Sequence, residues 1–374
     1  MNIDYTVFEQ VNRINEYFED ELSKKIFKMR VLANITGDIK HIHQMISNSD
    51  SYDWNRALEI YDKIDENYNL YSEYDVLAWI IKNKAKGKLI LFGVGRDSYA
   101  YRSLMDAFGI EYNCIVDNNN YGMDIDGHRV YSVKESANII KESYIIITSM
   151  KYCEEMTNQL LQMGVLKERI FQPKDNALIA YCDSVYFDNN IWNCNNGMVF
   201  VDGGSYNLFS SYEFSNWCRG NYKKIIAFEP DCNNVCLCNS NISAYGLHNV
   251  DVVNAGLSEN DGYLHFEHAG NSGASSFISE NGNEQVKVYA LDSYLNGEKC
   301  DFIKLDIEGS ELLALKGAEK TIRKYKPRLA ICVYHKNEDI FEIPEYIKGI
   351  VPEYKFKLRH YSTYYYDTIL YAYI

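Results

Sequence analysis

The sequence predicts an α/β protein in which two parallel-sheet modules in tandem follow a helical N-terminal segment. From Lys88 onward, apolar runs of strand length alternate with segments whose apolar residues recur at helical spacing. The first run of each module ends in glycines, in "KLILFGVG" and in "MVFVDGG", as the first strand of a nucleotide-binding sheet does. We therefore expect a helical segment at residues 1–86, a smaller Rossmann-like accessory domain at 87–180, and a larger α/β domain at 181–374.

The first 86 residues are predicted to be helical. Phe8, Val11, Ile14 and Phe18 recur at intervals of three and four residues, which places them on one face of a helix. A later helix through "YDVLAWIIKNKAK" ends before Gly87, because glycine is common just beyond a helix C-terminus. No residue of this segment points to a chemical function.

The composition limits the kinds of partner. The chain has 374 residues, of which 47% are hydrophobic, and a formal net charge of −14. An acidic surface is poorly suited to nucleic acid or anionic lipid, so we expect a small-molecule or neutral partner. No apolar run approaches the length of a membrane span, and the N-terminus is too polar for a secretory signal. These features predict a cytoplasmic protein with no nucleic-acid partner and no membrane insertion.

Ten cysteines are spread through the chain without a CxxC pair. This distribution is typical of reduced structural thiols rather than of a disulfide framework. Cys232, Cys236 and Cys238 are the densest group, but no second group of Cys or His stands at a matching spacing to complete a metal site. We therefore interpret these three thiols as structural.

The smaller module carries a weak nucleotide signal. "FGVGRDSY" reads G-x-G-x-x-S, and Asp117 closes the next strand, but Ser98 replaces the third glycine of the dinucleotide-binding pattern. One hypothesis is therefore an NAD-dependent oxidoreductase or epimerase that uses residues 87–180. A second is recognition of a nucleotide-sugar or carrier group by this module, and a third is a packing or dimerisation role that could support a homo-oligomer.

The larger module carries a stronger signal at the ends of its first two strands. The first strand ends in Asp202, Gly203 and Gly204, followed by Ser205, and the second ends in Glu229 and Pro230. Glycines let a ligand approach the backbone, and an acid at the next strand end accepts the hydroxyls of a ribose. The turn lacks the glycines that a pyrophosphate needs and presents a carboxylate, which favours a nucleoside with a cationic end, S-adenosylmethionine.

Five blocks in this order resemble the FkbM-type family of class I S-adenosylmethionine-dependent methyltransferases: "VFVDGGSYN", "AFEPD", "FIKLDIEGSELLALKGA", "PRLAICVYHKNEDIFEIP" and "LRHYS". The resemblance covers roughly residues 198–374. It implies a seven-stranded sheet with one reversed strand at its edge, a cofactor over Asp202, Gly204 and Glu229, and methyl transfer to a hydroxyl. The acceptor implied is a sugar or another small polar molecule, including a glycan-linked group, with an amino group as the alternative atom. The smaller module resembles Rossmann-like domains found beside sugar-modifying enzymes.

Two acids follow the strand in "FIKLDIEGSE". Residues two apart on a strand share a face, so Asp306 and Glu308 are predicted to face one cleft if the strand continues that far. One acid would then act as general base while the other orients the acceptor, or both would bind a divalent cation such as Mg²⁺. The alternative for Glu308 is a structural role at the N-terminus of the next helix.

Two histidines end further strands of the larger module. His335 and His360 have the near-neutral pKa of an unperturbed imidazole, which suits a general base, and the alternative for each is a partly exposed side chain with a backbone partner. Asn254 is a further candidate for cofactor binding, whereas the His265 and His268 pair is interpreted as the rim of a β-hairpin. A non-catalytic protein that binds a nucleoside is the competing hypothesis for this module.

Overall fold

The computed structural model describes residues 5–47, 55, 58, 76–173, 185–268, 276–278 and 284–374. Its helices are α1 Tyr5–Asn15, α2 Glu21–Thr36, α3 Ile39–Ile46, α4 Val76–Lys84, α5 Ser98–Ala107, α6 Ala137–Glu142, α7 Cys153–Gln162, α8 Phe209–Trp217, α9 Cys232–Ala244, α10 Leu291–Leu295, α11 Glu311–Gly317, α12 Glu319–Tyr325 and α13 Asp339–Ile350. Among the described residues, no helix is both long enough and apolar enough to cross a membrane.

The strands of the smaller module are β1 Leu89–Phe92, β2 Cys114–Asp117, β3 Asp124–Ile125, β4 His128–Ser132, β5 Tyr144–Ile147 and β6 Ile170–Phe171. Those of the larger module are β7 Met198–Gly203, β8 Tyr222–Phe228, β9 Val250–Val253, β10 Gly256–Leu257, β11 Gly262–His268, β12 Ser276–Ile278, β13 Glu284–Tyr289, β14 Phe302–Leu305, β15 Arg328–Cys332, β16 Lys355–His360 and β17 Thr368–Tyr373.

The chain forms two compact units. The smaller unit contains residues 32–183 and 361–366, and the larger unit contains residues 1–31, 184–360 and 367–374. The N-terminal helices up to residue 31 therefore group with the C-terminal sheet. Asp20 accepts hydrogen bonds from the Arg359 guanidinium at 3.2 and 3.1 Å, and Ser23 Oγ accepts one from Leu358 N at 2.9 Å. The domain boundaries expected from the sequence remain predictions.

The smaller unit is built on a six-stranded sheet in the order β3-β4-β2-β1-β5-β6. β1 is parallel to β2 and to β5, while β3 and β4 form an antiparallel edge pair. The four residues of β1 are all buried, which explains why its sequence is a continuous apolar run instead of an alternating one. Met156 and Leu160 of α7 pack on the same core as Phe92 and Ile147.

The larger unit contains a seven-stranded sheet in the order β16-β17-β15-β14-β7-β8-β9. β7, β8, β9, β14 and β15 are parallel, and β17 runs antiparallel to both of its neighbours. This confirms the seven-stranded mixed sheet expected from the sequence. The reversed strand, however, is second from the edge rather than at it, because β16 pairs with its outer side.

Two elements of the larger unit were not predicted. One is a second sheet, which has four strands in the order β10-β13-β11-β12. Helix α13 follows β15, where no helix was expected, and it contains Pro344. Proline disfavours helix interiors, so Pro344 argued against a helix here although the buried face of α13 is mostly apolar.

The expectation that all cysteines are free thiols is wrong for one pair. Cys194 and Cys218 form a disulfide, with their Cα atoms 5.4 Å apart. Cys232 and Cys236 are exposed thiols and Cys238 is a buried one. Sequence spacing alone gave no sign of the bonded pair, since one cysteine precedes β7 and the other follows α8.

Candidate active site

The candidate site lies at the carboxyl ends of β7, β8, β14 and β15 in the larger unit. The strand order changes direction between β7 and β14, since β8 and β9 extend the sheet on one side and β15 extends it on the other. In open α/β sheets a ligand crevice forms outside such a reversal point. The predicted residues Asp202, Gly204, Asp306 and Glu308 all follow or end these two central strands.

The glycine turn after β7 leaves no room for a side chain at Gly204. This residue has φ +76°, and a Cβ placed on it would lie 1.9 Å from the Asp306 carbonyl oxygen. Gly204 N and Ser205 N both donate to the Phe228 carbonyl oxygen at 3.1 Å. The turn therefore packs directly against the loop that follows β14, and only glycine allows this approach.

We expect Gly204→Ala to lower the free energy of unfolding of the larger unit by about 2 kcal/mol more than Gly220→Ala. Both glycines have left-handed backbone, with φ +76° and +73°, but nothing lies within 4 Å of a Cβ on Gly220. The difference between the two variants in urea unfolding therefore measures the clash with Asp306. Equal losses would show that the turn relaxes away from the β14 loop.

Asp202 forms a buried ion pair instead of facing a ligand. Its carboxylate is fully buried, with Oδ1 3.1 Å from Lys304 Nζ and Oδ2 accepting hydrogen bonds from Ser210 Oγ at 2.6 Å and Ser211 Oγ at 2.7 Å. Lys304 Nζ also donates to the carbonyl oxygens of Gly203 and Gly204 at 3.1 and 2.7 Å. The pair therefore holds the glycine turn from behind. Both oxygens of the Asp202 carboxylate thus have partners within the protein, whereas the sequence suggested that this carboxylate contacts a cationic ligand directly.

Lys304 was missed from the sequence. It lies on β14 directly opposite Asp202 on β7, in the register of the two parallel strands. Burial lowers the pKa of Lys304, but Asp202 and Asp306 outweigh burial, so the pKa is raised and the ammonium stays charged. The sequence did contain an indication of this ion pair, because a lysine inside the apolar run "FIKL" needs a buried partner of opposite charge.

The Glu229 carboxylate is hydrogen-bonded to both the loop that follows β7 and the loop that follows β8. It is 5% exposed, its Oε2 accepts a hydrogen bond from Tyr206 N at 2.9 Å, and its Oε1 accepts one from Asp231 N at 2.9 Å. Burial raises its pKa, which these hydrogen bonds partly oppose. The carboxylate thus lies between the glycine turn and the β8 loop, at the position where the sequence predicts a bound ribose.

Pro230 and Asn254 shape the same loop. Asn254 Nδ2 donates to the carbonyl oxygens of Glu229 and Pro230 at 3.1 and 3.0 Å. Ser205 Oγ lies 3.7 Å from Cys238 Sγ, behind the turn. Asn254 therefore positions the backbone of the acid, and its contact with a cofactor remains a prediction.

Asp306 and Glu308 do not share a face of one strand, because β14 ends at Leu305. Glu308 and Gly309 have left-handed backbone, with φ +54° and +90°. This turn brings both carboxylates near the same ring nitrogen of His335, with Nε2 3.5 Å from Asp306 Oδ1 and 3.6 Å from Glu308 Oε2. The convergence expected from strand alternation is therefore produced by the loop.

The acid in the first turn of α11 is Glu311 and not Glu308. Glu311 Oε1 accepts a hydrogen bond from Ile307 N at 2.8 Å and lies 3.0 Å from His335 Nδ1. Its side chain is fully buried, whereas that of Glu308 is 38% exposed. Glu308 is therefore the carboxylate of this group that is most open to an incoming molecule.

Two tyrosines hold the carboxylate of Asp306. Tyr186 OH donates to Oδ2 at 2.9 Å and Tyr334 OH donates to Oδ1 at 3.1 Å. Burial raises the pKa of Asp306, but Lys304, His335 and the Tyr186 hydroxyl outweigh burial and lower it below its usual range. Burial raises the pKa of Glu308. The environment thus separates the two acids, with Asp306 the weaker base and Glu308 the stronger one.

His335 is not the near-neutral base expected from the sequence. Burial lowers its pKa, but Glu311, Asp306 and Glu308 outweigh burial and raise the pKa to about 9. The imidazole is therefore protonated at neutral pH and compensates part of the charge of the three carboxylates. We call Asp306, Glu308, Glu311 and His335 the acidic cluster.

His360 lies apart from the acidic cluster in the sheet. It is buried at the end of β16, and its Nδ1 lies 2.8 Å from Thr368 Oγ1 on β17. β17 separates β16 from β15, the strand that leads to His335. The structure thus brings Asp306, Glu308 and His335 together and gives His360 a partner on its neighbouring strand. Of the predicted hairpin pair, His265 is exposed on β11, and the side chain of His268 lies outside the described residues.

The corresponding acid of the smaller unit is bonded to its own loops. Asp117 Oδ2 accepts a hydrogen bond from Val94 N at 3.0 Å, and its Oδ1 accepts from Asn119 N and Asn120 N, each at 2.8 Å. Gly93 has φ +116°, and a Cβ there would lie 2.9 Å from Thr148 Oγ1. Nucleotide binding by this unit remains a prediction.

Several solved structures are similar to this chain. A methyltransferase FkbM from Methylobacillus flagellatus KT is 18% identical, with 86% of this chain and 98% of that chain covered and a TM-score of 0.47. An rRNA methylase from Streptococcus thermophilus is 18% identical, with 48% and 86% covered and a TM-score of 0.33. A SAM dependent methyltransferase from Aquifex aeolicus is 16% identical, with 50% and 89% covered and a TM-score of 0.30. No curated protein matches the chain.

Two family models match separate parts of the chain. Residues 85–171, which contain β1 to β6, match the model C2185-like, N-terminal. Residues 197–358 match the model Methyltransferase FkbM domain, and this range contains the glycine turn, Glu229 and the acidic cluster. The resemblance drawn from the sequence is therefore confirmed, because residues 197–358 match the FkbM methyltransferase domain.

Proposed function

We propose that this protein is an S-adenosylmethionine-dependent methyltransferase that methylates a hydroxyl group of a small polar acceptor, such as a sugar or a glycan-linked group. One observation carries the proposal. The acidic cluster, with its partly exposed Glu308, directly adjoins the glycine turn, since the Asp306 backbone is in contact with Gly204. A base for the acceptor and a turn suited to a nucleoside thus lie side by side at the reversal point of the sheet.

The residues at the first two strand ends fit the cofactor. Gly204 is partly exposed at the end of β7, and Glu229 is directed at this turn through its hydrogen bond with Tyr206 N. A buried carboxylate at this place is suited to accept the two hydroxyls of a ribose. When bound, S-adenosylmethionine supplies a sulfonium methyl group that an acceptor oxygen attacks in line with the breaking carbon–sulfur bond.

Side chains of the protein remove the acceptor proton and orient the acceptor. Glu308 takes the proton of the acceptor hydroxyl, because burial raises its pKa and its side chain is partly exposed. Asp306 is held by Tyr186 and Tyr334 and stays ionised, so it orients the acceptor and stabilises positive charge nearby. A protonated amino group must also lose a proton before its nitrogen can attack, and the same base would remove it. An amino nitrogen is therefore the alternative acceptor atom.

We expect S-adenosylhomocysteine to bind the full chain saturably in a calorimetric titration and Glu229→Gln to weaken that binding about tenfold, because the variant loses a charge-assisted hydrogen bond. Glu353→Gln is the matched control, since Glu353 is an exposed acid paired with Lys326 at 2.9 Å in the same unit. Absence of saturable binding would remove the proposal, and equal affinities for all three proteins would remove the assigned role of Glu229.

The acceptor is sought with a metabolite extract. Incubation with S-adenosylmethionine carrying a labelled methyl group should label a small polar product, and the label should resist mild base if it is an ether. A product labelled on nitrogen would favour the amino alternative. Cofactor binding without transfer to any extract component would instead favour a non-catalytic nucleoside-binding protein.

A further inference from the structure

We propose that Asp306, Glu311 and His335 bind one divalent transition-metal cation beside the glycine turn. One oxygen of each acid and one ring nitrogen of His335 lie within 4.8 Å of one another. The inference deepens the proposed function, because it concerns the same site, and only its catalytic role rests on that function. The ligand set differs from the Asp306 and Glu308 pair suggested by the sequence.

Buried atoms without hydrogen-bond partners point into this site. The side chain of Glu311 is 0% exposed and that of His335 is 9% exposed. Within the described residues, Glu311 Oε2 and both ring nitrogens of His335 have no hydrogen-bond partner. Nδ1 is 3.0 Å from Glu311 Oε1 but without hydrogen-bonding geometry. Buried polar atoms of this kind are costly unless something satisfies them, and a cation among them does so.

The separation of one pair in this site matches that of two ligands around one ion. His335 Nε2 and Asp306 Oδ1 are 3.5 Å apart, which is beyond a good hydrogen bond. Two ligands that are each about 2.1 Å from a tetrahedral metal are about 3.4 Å from each other. The observed separation is therefore that expected for two atoms sharing a cation.

The charge of the acidic cluster also favours a cation. Asp306, Glu308 and Glu311 place three carboxylates around one imidazole. A proton on His335 compensates one negative charge, whereas a divalent cation compensates two. Because uncompensated buried charge is expensive, the cluster gains from the larger positive charge.

Neighbouring groups hold the ligand oxygens in place. The hydroxyls of Tyr186 and Tyr334 donate to the two oxygens of Asp306, and Ile307 N donates to Glu311 Oε1. Such hydrogen bonds orient metal ligands in protein sites and are part of a built site. Each oxygen retains a further lone pair for the cation.

The nitrogen ligand selects the kind of metal. Sites made only of oxygen ligands suit Mg²⁺, whereas imidazole suits Zn²⁺ and its neighbours. We therefore expect Zn²⁺ to bind more tightly than Mn²⁺ and Mg²⁺ to bind most weakly. In the proposed reaction the cation would lower the pKa of the acceptor hydroxyl, whose proton passes to Glu308. The oxygen electron pair forms the bond to the methyl carbon, and the pair of the carbon–sulfur bond stays on sulfur.

Metal binding to the chelator-treated full chain tests the proposal without any cofactor. The titrations use ZnCl₂, MnCl₂ and MgCl₂, in a background with Cys232→Ser and Cys236→Ser, since these exposed thiols would bind zinc nonspecifically. We expect one Zn²⁺ per chain and at least tenfold weaker binding in Asp306→Asn, Glu311→Gln and His335→Gln. The matched controls are Asp251→Asn, Glu353→Gln and His248→Gln, which should bind as the parent does.

A spectrum of the parent protein with Co²⁺ provides a second measurement that does not depend on the folding of the variants. Visible bands of a protein-bound, low-symmetry site would support the proposal. Lack of saturable Zn²⁺ binding, a Co²⁺ spectrum equal to that of the aqueous ion, or unchanged binding in the three ligand variants would overturn it. Because S-adenosylhomocysteine binding is measured separately, failure here leaves the proposed methyl transfer intact, and failure of cofactor binding leaves the metal site intact.

Discussion

Lys304→Met is expected to lower the free energy of unfolding of the larger unit by about 3–5 kcal/mol. The substitution leaves Asp202 fully buried without its cation and removes the donor to the carbonyl oxygens of Gly203 and Gly204. Urea unfolding followed by tryptophan fluorescence measures the loss. Cofactor binding should fall as well, because the glycine turn loses its support from β14.

Two further variants separate the buried pair from general effects of removing a lysine. Lys326→Met breaks the exposed pair with Glu353 and should cost much less stability than Lys304→Met, because solvent screens exposed ion pairs. The double variant Asp202→Asn with Lys304→Met removes both charges and should recover part of the stability, because no unpaired carboxylate remains. A single Lys304→Met variant as stable as the wild type would show that Asp202 is solvated or neutral, and the role assigned to the pair behind the turn would be wrong.

Glu308→Gln is expected to lower kcat by a factor of about 100 to 10,000 once the acceptor is known, because the variant cannot accept a proton. The affinity for S-adenosylhomocysteine should stay unchanged, since Glu229 and the glycine turn are untouched. In the wild type, kcat should rise with pH as Glu308 loses its proton. This limb should lie at higher pH than for an ordinary glutamate, because burial raises the pKa of Glu308.

Glu338→Gln is the matched control for that variant. Glu338 is an exposed acid just after the acidic cluster, at the start of α13, and makes no side-chain hydrogen bond to the helix terminus. It should keep kcat near that of the wild type. If Glu308→Gln retains more than a tenth of the wild-type kcat, proton removal by Glu308 is not part of the reaction.

Local patterns along the chain predicted the individual strands because such patterns depend on near neighbours, whereas the seven-stranded sheet was implied by the family resemblance. The apolar run of β7 predicts a buried parallel strand, and the two glycines after it predict a backbone that other groups approach closely. The same kind of pattern failed for α13, where Pro344 lies inside the helix, and for Glu308, which was placed on a strand that ends at Leu305. In both cases tertiary packing overrode a local preference.

The acids at the strand ends were found from the sequence, but their partners were not. Tyr186 donates to Asp306 across 120 positions of the chain, and Lys304 pairs with Asp202 on a strand about a hundred residues earlier. The pKa of about 9 for His335 follows from three carboxylates that meet only in the folded chain. Position in the sequence therefore indicated a general base at His335, whereas the fold surrounds its imidazole with three carboxylates.

Side-chain type and spacing over a few residues were enough to predict the alternation of strands and helices outside α13, the glycine turn and the family that the domain resembles. They could not show that Asp202 forms an ion pair with Lys304 or that Glu308 is the most exposed carboxylate of the acidic cluster. Nor could they show that His335, and not His360, lies beside these carboxylates. Those properties required the folded chain, because the charge, burial and hydrogen bonding of each group depend on atoms that distant segments bring within a few ångströms.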